Sequence, residues 1–179
     1  MTTEITSGSK SVAELRREFD NTFAAPPAGP VEGRESLITL RVAGEALAVR
    51  TLHVTGVAKL RRILPVPTHV PGLLGITAIR GTLLPVYDLA TLLGFPAAAR
   101  EGCWLMLAGA ETPVGLLFDE FESQVEIERA CLLESEGSRR LEHLRLVARI
   151  GAAHRAVIDI PGIVEEIRNT AGLLEPVKE

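Results

Sequence analysis

The residues able to do chemistry are few and scattered. The histidines are His53, His69, His143 and His154, and the cysteines are Cys103 and Cys131. A metal or nucleophile site needs several such groups converging on one point. No CxxC, HExxH, GxSxG, Walker loop or GxGxxG stands in the chain. Ser7 and Lys10 match SxxK, but they lie in the tail without its partner motifs, and the match is read as chance. Each histidine is read as a surface or hydrogen-bonded side chain, and each cysteine as a small buried apolar residue. Two aspartates stand out because each closes an apolar run: "PVYDLATLL" around Asp88 and "AVIDIPGIV" around Asp159. A short helical pattern follows each, so capping of that helix is the stronger reading.

Asp159 has one rival role. With Asp119-Glu120 forty residues upstream, it imitates the phosphoacceptor and acidic magnesium pair of a receiver domain. A receiver needs further strands and a lysine after its phosphoacceptor. Only twenty residues follow Asp159, and Lys178 belongs to the tail. The ten-residue helical patterns that a parallel βα sheet requires between strands are also missing. No catalytic residue, metal or cofactor is therefore expected.

Recognition is the other use of a charge. In "PGLLGITAIRGTLLPVYDLATLLG", Pro71 to Gly94, Arg80 is the sole basic residue in an almost wholly apolar stretch, with Gly81 directly after it. The net charge of −4 over 179 residues and the 4% aromatic content argue against a nucleic-acid binder, which carries a basic stripe and stacking platforms. The composition, 46% hydrophobic and 23% charged, is that of a soluble globular domain able to build a core without disulfides. The apolar run Ile63–Ile79 holds Pro65, Pro67 and Pro71, so it is not a membrane span, and "MTTEITSGSK" has no apolar signal core.

The elements that must position Arg80 are mostly strands. Residues 1–35 read as a tail, in which an amphipathic helix over 11–23 carries Val12, Leu15, Phe19 and Phe23 on one face. Ser11 and Glu14 form a capping box at its start, and the Pro-rich linker "AAPPAGPVEG" follows it. This helix is either a docking peptide or a piece that packs on its own domain. From Ser36, "SLITLRVAGEALAV" alternates as a hairpin, "HVTGVAKL" is extended, and "GITAIRGTLLPVYD" gives two strands broken at Arg80-Gly81. "CWLMLAG", the longer "TPVGLLFDEFESQVEI", "LRLVARIG" and "RAVIDI" add further strands before a last short helix, and residues 170–179 form a second tail. The two halves end alike at Asp88 and Asp159, and "LAVRTLHVTGV" corresponds more weakly to "VGLLFDEFESQV". Two similar halves of short strands predict two small barrels side by side.

The pieces "VTGV", "PVPTHVPGLLGITAIRGTLLPVYDLATLLG", "PVGLLFDEFESQV" and "RAVIDIPGIVEEI", in this order, closely resemble the CheW-like family of chemotaxis coupling proteins. The match runs from about Ser36 to about Asn169. Its most specific part is G-x-x-x-x-R-G-x-x-x-P-V-x-D-L from Gly75 to Leu89, and Gly115 to Asp119 supports it by position. The resemblance implies a mainly β domain over 36–169, built of two SH3-like five-stranded β-barrel subdomains with short helices. It implies a non-enzymatic adapter between the cytoplasmic tips of chemoreceptors and the regulatory domain of a CheA-type histidine kinase. Such an adapter is cytoplasmic and recruited to membrane-associated receptor arrays, without inserting into the membrane. The resemblance places Arg80 and Val54 at the receptor groove, with Gly75, Thr77 and Gly81 at the approach to Arg80; ordinary strand packing is the competing reading for Val54. Gly56 departs from the family, whose members often carry glutamate there. Phe118, Asp119 and Phe121 are the candidates for the kinase contact, with core filling the competing reading for the two phenylalanines. For Arg80 the competing reading is an internal tie to Asp88 or Asp119. The alternatives for the whole chain are a phosphorylation-dependent switch and a detached kinase regulatory domain, the latter expected behind kinase segments that this chain lacks.

Overall fold

The computed structural model describes residues 33–60, 62–96, 103–109, 112–134 and 143–170. The expected helix over 11–23 and the tail from 171 to the end lie outside the described residues. In chain order the elements are β1 (Arg34–Val42), β2 (Glu45–Arg50), a 3-10 turn η1 (Thr51–His53), β3 (Val54–Lys59), β4 (Leu73–Ile79) and β5 (Thr82–Asp88). Then come α1 (Leu89–Leu92), β6 (Trp104–Ala108), β7 (Val114–Phe118), β8 (Glu120–Glu128), a second 3-10 turn η2 (Arg129–Cys131), β9 (Leu132–Glu134), β10 (Leu146–Ile150), β11 (Ala153–Ile158) and α2 (Ile160–Thr170).

The strands form two sheets. One has six strands in the order β8-β1-β2-β11-β10-β9, the other five in the order β3-β6-β7-β5-β4. Both are mixed: the pairings β11 with β2 and β5 with β7 are parallel, the others antiparallel. The two predicted five-stranded barrels are corrected in two respects. Among the described residues neither sheet closes into a barrel. Leu60, just after β3, donates its N–H to the Cys103 carbonyl at 3.1 Å on the β6 side, and Leu64 meets β4 only at the single Leu64–Ile76 bridge.

The halves also divide elsewhere than their sequence likeness suggests. The five-stranded sheet is one continuous piece, β3 to β7, inserted between β2 and β8 of the other. The predicted single extended segment "TPVGLLFDEFESQVEI" is two strands in different sheets, parted at Asp119. The two weakly matching stretches, around η1 and around Asp119, are the two places where the chain crosses between sheets. The likeness of the halves survives in the pairing. The row Leu64, Ile76, Pro85 in one sheet corresponds to Leu133, Val147, Ala156 in the other, and both rows lead to a capping aspartate.

Alternation explains the packing, because successive strand residues point to opposite faces. Ile38, Leu40, Val42, Leu47 and Val49 of one sheet meet Tyr87, Met106, Ala108, Leu116 and Phe118 of the other in a central core, joined by α1 and α2. The intervening residues face outward into a second core for each sheet: Leu37, Ala48, Ala148 and Val157 in one, Leu84, Val86, Leu105 and Leu117 in the other. This is why Leu37–Leu40 and all five residues of β7 are buried. No helix among the described residues is long and apolar enough to cross a membrane.

Both helices start as expected. Asp88 Oδ1 accepts the Ala90 N–H at 3.2 Å and Oδ2 accepts the Thr91 hydroxyl at 2.7 Å. Asp159 Oδ1 accepts the Gly162 N–H at 3.2 Å. The predicted stop of α1 at Gly94 also holds: its φ is +73°, and the Phe95 N–H reaches the Ala90 carbonyl at 2.9 Å. Since Phe118 is fully buried in the central core, Phe118→Ala is expected to cost about 3–5 kcal/mol in urea unfolding.

Candidate functional site

Arg80 occupies the tip of the β4–β5 hairpin. Ile79 pairs with Thr82, which leaves Arg80 and Gly81 as a two-residue turn with φ of +50° and +84°. Positive φ at both central positions matches the twist of the flanking strands, but for a side chain other than glycine it costs about 1–2 kcal/mol. Arg80 is exposed, and no carboxylate among the described residues lies in ion-pair range of it. The internal tie to Asp88 or Asp119 is therefore not formed. Beside Arg80 runs an apolar strip. Directly opposed residues of paired strands share a face, so Leu64, Ile76 and Pro85 form one row and Ala78 and Leu83 the next. Leu83 is 70% exposed and Leu64 56%, unusual for leucines on a sheet. The corresponding row in the other sheet has Leu133, at 54%.

The small residues near Arg80 serve the hairpin itself. Gly75 is buried with φ +147°, and a Cβ there would collide with the Leu64 carbonyl and meet Ile63 Cγ2 at 2.8 Å. Glycine is thus what lets the 63–64 segment lie across β4. Thr77 is buried, and its hydroxyl donates to the Arg62 carbonyl at 2.7 Å, fixing the same segment. Gly56 is different. A Cβ there would meet only Leu107 Cδ1, at an ordinary 3.5 Å, so the backbone does not demand glycine.

Val54 begins β3, half-buried against the central core, and Thr55 is an extra residue opposite the Ala108–Leu107 step. Around this start lies a groove of about 650 Å³, lined by Leu52, His53 and Thr55, by Gly109, and by Ile160, Pro161, Val164, Glu165 and Arg168 of α2. Leu52, 71% exposed, forms one lip. The strands β3, β5 and β7 run in one direction, so the groove at the start of β3 and the Arg80 tip before β5 lie at the same end of the sheet. His53 forms a wall of this groove and of a smaller pocket of about 250 Å³ that holds Arg50, Arg145 and Asp159. Burial lowers the His53 pKa below its ordinary value, and the neighbouring Arg50 adds to this, outweighing Asp159 and Glu35.

The three kinase candidates part company. Phe118 has no surface to offer. Phe121 is half-buried and stacks obliquely on Trp104, ring centroids 5.6 Å apart. Asp119 holds the crossing between sheets: its N–H donates to the Arg41 carbonyl at 3.1 Å and its carboxylate faces the Gly44 N–H at 3.4 Å. The histidines do not converge. His143 binds Glu166 at 2.6 Å, while His69 and His154 are exposed. Both cysteines are half-buried and outside any disulfide, and no group of metal-binding side chains forms among the described residues. A groove beside Val54 was expected, but its lining by Leu52 and α2, and the exposed strip leucines, were not, because an apolar residue in a strand gives no sign of which face it takes.

Fold and surface together define a mainly β protein of two mixed sheets with exposed apolar strips. A model of the CheW-like domain matches residues 36–168, well over half of the chain, and the protein belongs to the CheW-like family. Among solved structures, the scaffolding protein TtCheW from Thermoanaerobacter tengcongensis is similar, with a TM-score of 0.63 and 17% identity over 69% of this chain and 88% of that one. At that identity the likeness is one of fold. No curated protein matches in sequence.

Two outcomes follow from the geometry. Gly75→Ala is expected to lose roughly 3 kcal/mol or more, and Gly81→Ala, with open space around it, about 1 kcal/mol, as read from denaturant midpoints. Because the folded state holds fewer protons on His53 than the unfolded chain, its contribution is complete above the unfolded pKa of 6.5. It is lost as pH falls from there through the lowered folded value. Stability should therefore rise with pH across that window, and His53→Gln should flatten the rise.

Proposed function

We propose that this chain is a non-enzymatic adapter that couples the cytoplasmic tips of chemoreceptors to the regulatory domain of a CheA-type histidine kinase. The observation that carries the reading is Arg80: an exposed guanidinium at positive φ, at the tip of an exposed apolar strip, without an ion partner among the described residues. A strained turn that does nothing for the fold's own ion pairs suits a surface built for a partner. Receptor tips are helical, and an amphipathic helix lays its apolar face in a groove such as that between Leu52 and α2. Arg80, at the same end of the sheet, supplies five fixed donors for an acidic or amide-rich residue.

The kinase domain of the family shares the fold, so a like-with-like contact is expected. The matching rows Leu64, Ile76, Pro85 and Leu133, Val147, Ala156 offer it one apolar strip on each sheet. Phe121, packed on Trp104, lies on β8, the edge of its sheet opposite β9, and so falls outside the strip there. The segment 11–23, with Val12, Leu15, Phe19 and Phe23, is proposed to dock a partner of its own. The protein acts in the cytoplasm beside membrane-bound receptors.

Co-sedimentation with receptor fragments and kinase tests the assignment. Arg80→Glu should weaken receptor binding about 10- to 100-fold, the worth of a charge-assisted hydrogen bond, while leaving the unfolding midpoint nearly unchanged. Unaltered binding of both partners by the folded variant would remove Arg80 from the interface.

A further inference from the structure

α2 carries two stripes. Ile160, Ile163, Val164 and Ile167 are buried in the central core. Pro161, Val164, Glu165 and Arg168, again spaced i, i+3, i+4 and i+7, line the groove opposite Leu52. One wall of the groove is thus a helix ridge, the surface against which another helix packs most closely. Glu165 and Arg168 are both exposed at its rim. They do not pair with each other, and neither has another ion partner among the described residues, whereas the adjacent Glu166 is held by His143. Among the other described lining residues only His53 can ionise, and burial lowers its pKa, which disfavours its charged form.

Resting on the receptor-groove reading above, we infer that Glu165 and Arg168 set the direction of the helix docked in this groove. The occupant is an amphipathic helix in which an acidic residue precedes a basic one by three or four positions beside an apolar stripe, lying antiparallel to α2. The order follows from charge. The acid must meet Arg168 and the base Glu165, and on an antiparallel helix the Arg168 partner comes first. That same order, acid before base, is the one that stabilises the docked helix itself, and antiparallel alignment sets the two helix dipoles favourably. A parallel occupant would need the base first and would lose both gains.

The test uses the full chain and two synthetic amphipathic helical peptides with one leucine stripe, one carrying Glu then Lys four residues later, the other Lys then Glu. The first should bind about five- to tenfold tighter at low salt, with the difference shrinking as salt is raised. In Glu165→Lys combined with Arg168→Glu the preference should invert. Leu52→Asp should abolish binding of both peptides. Equal binding of the two peptides, or a preference that survives the double reversal, while Leu52→Asp still abolishes binding, overturns the role of Glu165 and Arg168 and leaves the groove standing. Binding unaffected by Leu52→Asp overturns both. If Leu52→Asp abolishes peptide binding yet leaves receptor co-sedimentation intact, the direction-setting role stands and the receptor is docked elsewhere.

Discussion

The central core is the constraint on which the rest of the structure depends. Two sheets share it, and each sheet also has a core of its own on the far side, so the middle strands β1, β2, β6 and β7 are apolar on both faces. Strands of that kind tolerate no register slip, since a shift of one residue would exchange one core for the other and mismatch both. The two capping aspartates lie at the margin of this core, and the helices they start contribute Leu89, Ile160 and Ile163 to it. With the interior satisfied in this way, the exposed leucines at 64, 83 and 133 are left over from packing rather than required by it.

What remains outside the cores divides into parts that hold the hairpin and parts that it displays. Gly75, Thr77 and the 63–64 segment form a brace: an absent side chain, a hydroxyl bond and a pair of backbone bonds pin the edge of the sheet. Arg80, Ala78 and Leu83 are what the brace presents. A motif in which glycine, arginine and glycine keep fixed spacing mixes both kinds of residue, and only the geometry separates them.

Local features were legible in the sequence because their causes are local. The Arg80-Gly81 break and the two aspartate caps follow from φ preferences and from donors a few residues away. Sheet membership was not legible, because it is decided by pairings far apart. Thr39 bonds Ser123 across 84 positions, and alternation along a strand is the same whichever strand lies beside it. For that reason the run from Thr112 to Ile127 reads as one extended segment, when Asp119 sends it from one sheet to the other. Phe118 and Phe121 look equivalent in "FDEF", yet the crossing buries the first entirely and leaves the second at the margin.

The nesting of one sheet inside the other also sets the order in which the molecule can assemble. β1 and β2 leave the ribosome before the inserted sheet, yet their neighbours β8 and β11 are made only after it. Until then a two-sided apolar hairpin stands with both edges open, the kind of surface that recruits chaperones or aggregates. The inserted sheet, whose partners are all contiguous, can complete itself meanwhile, and late synthesis of the C-terminal strands becomes the step that rescues the earliest ones.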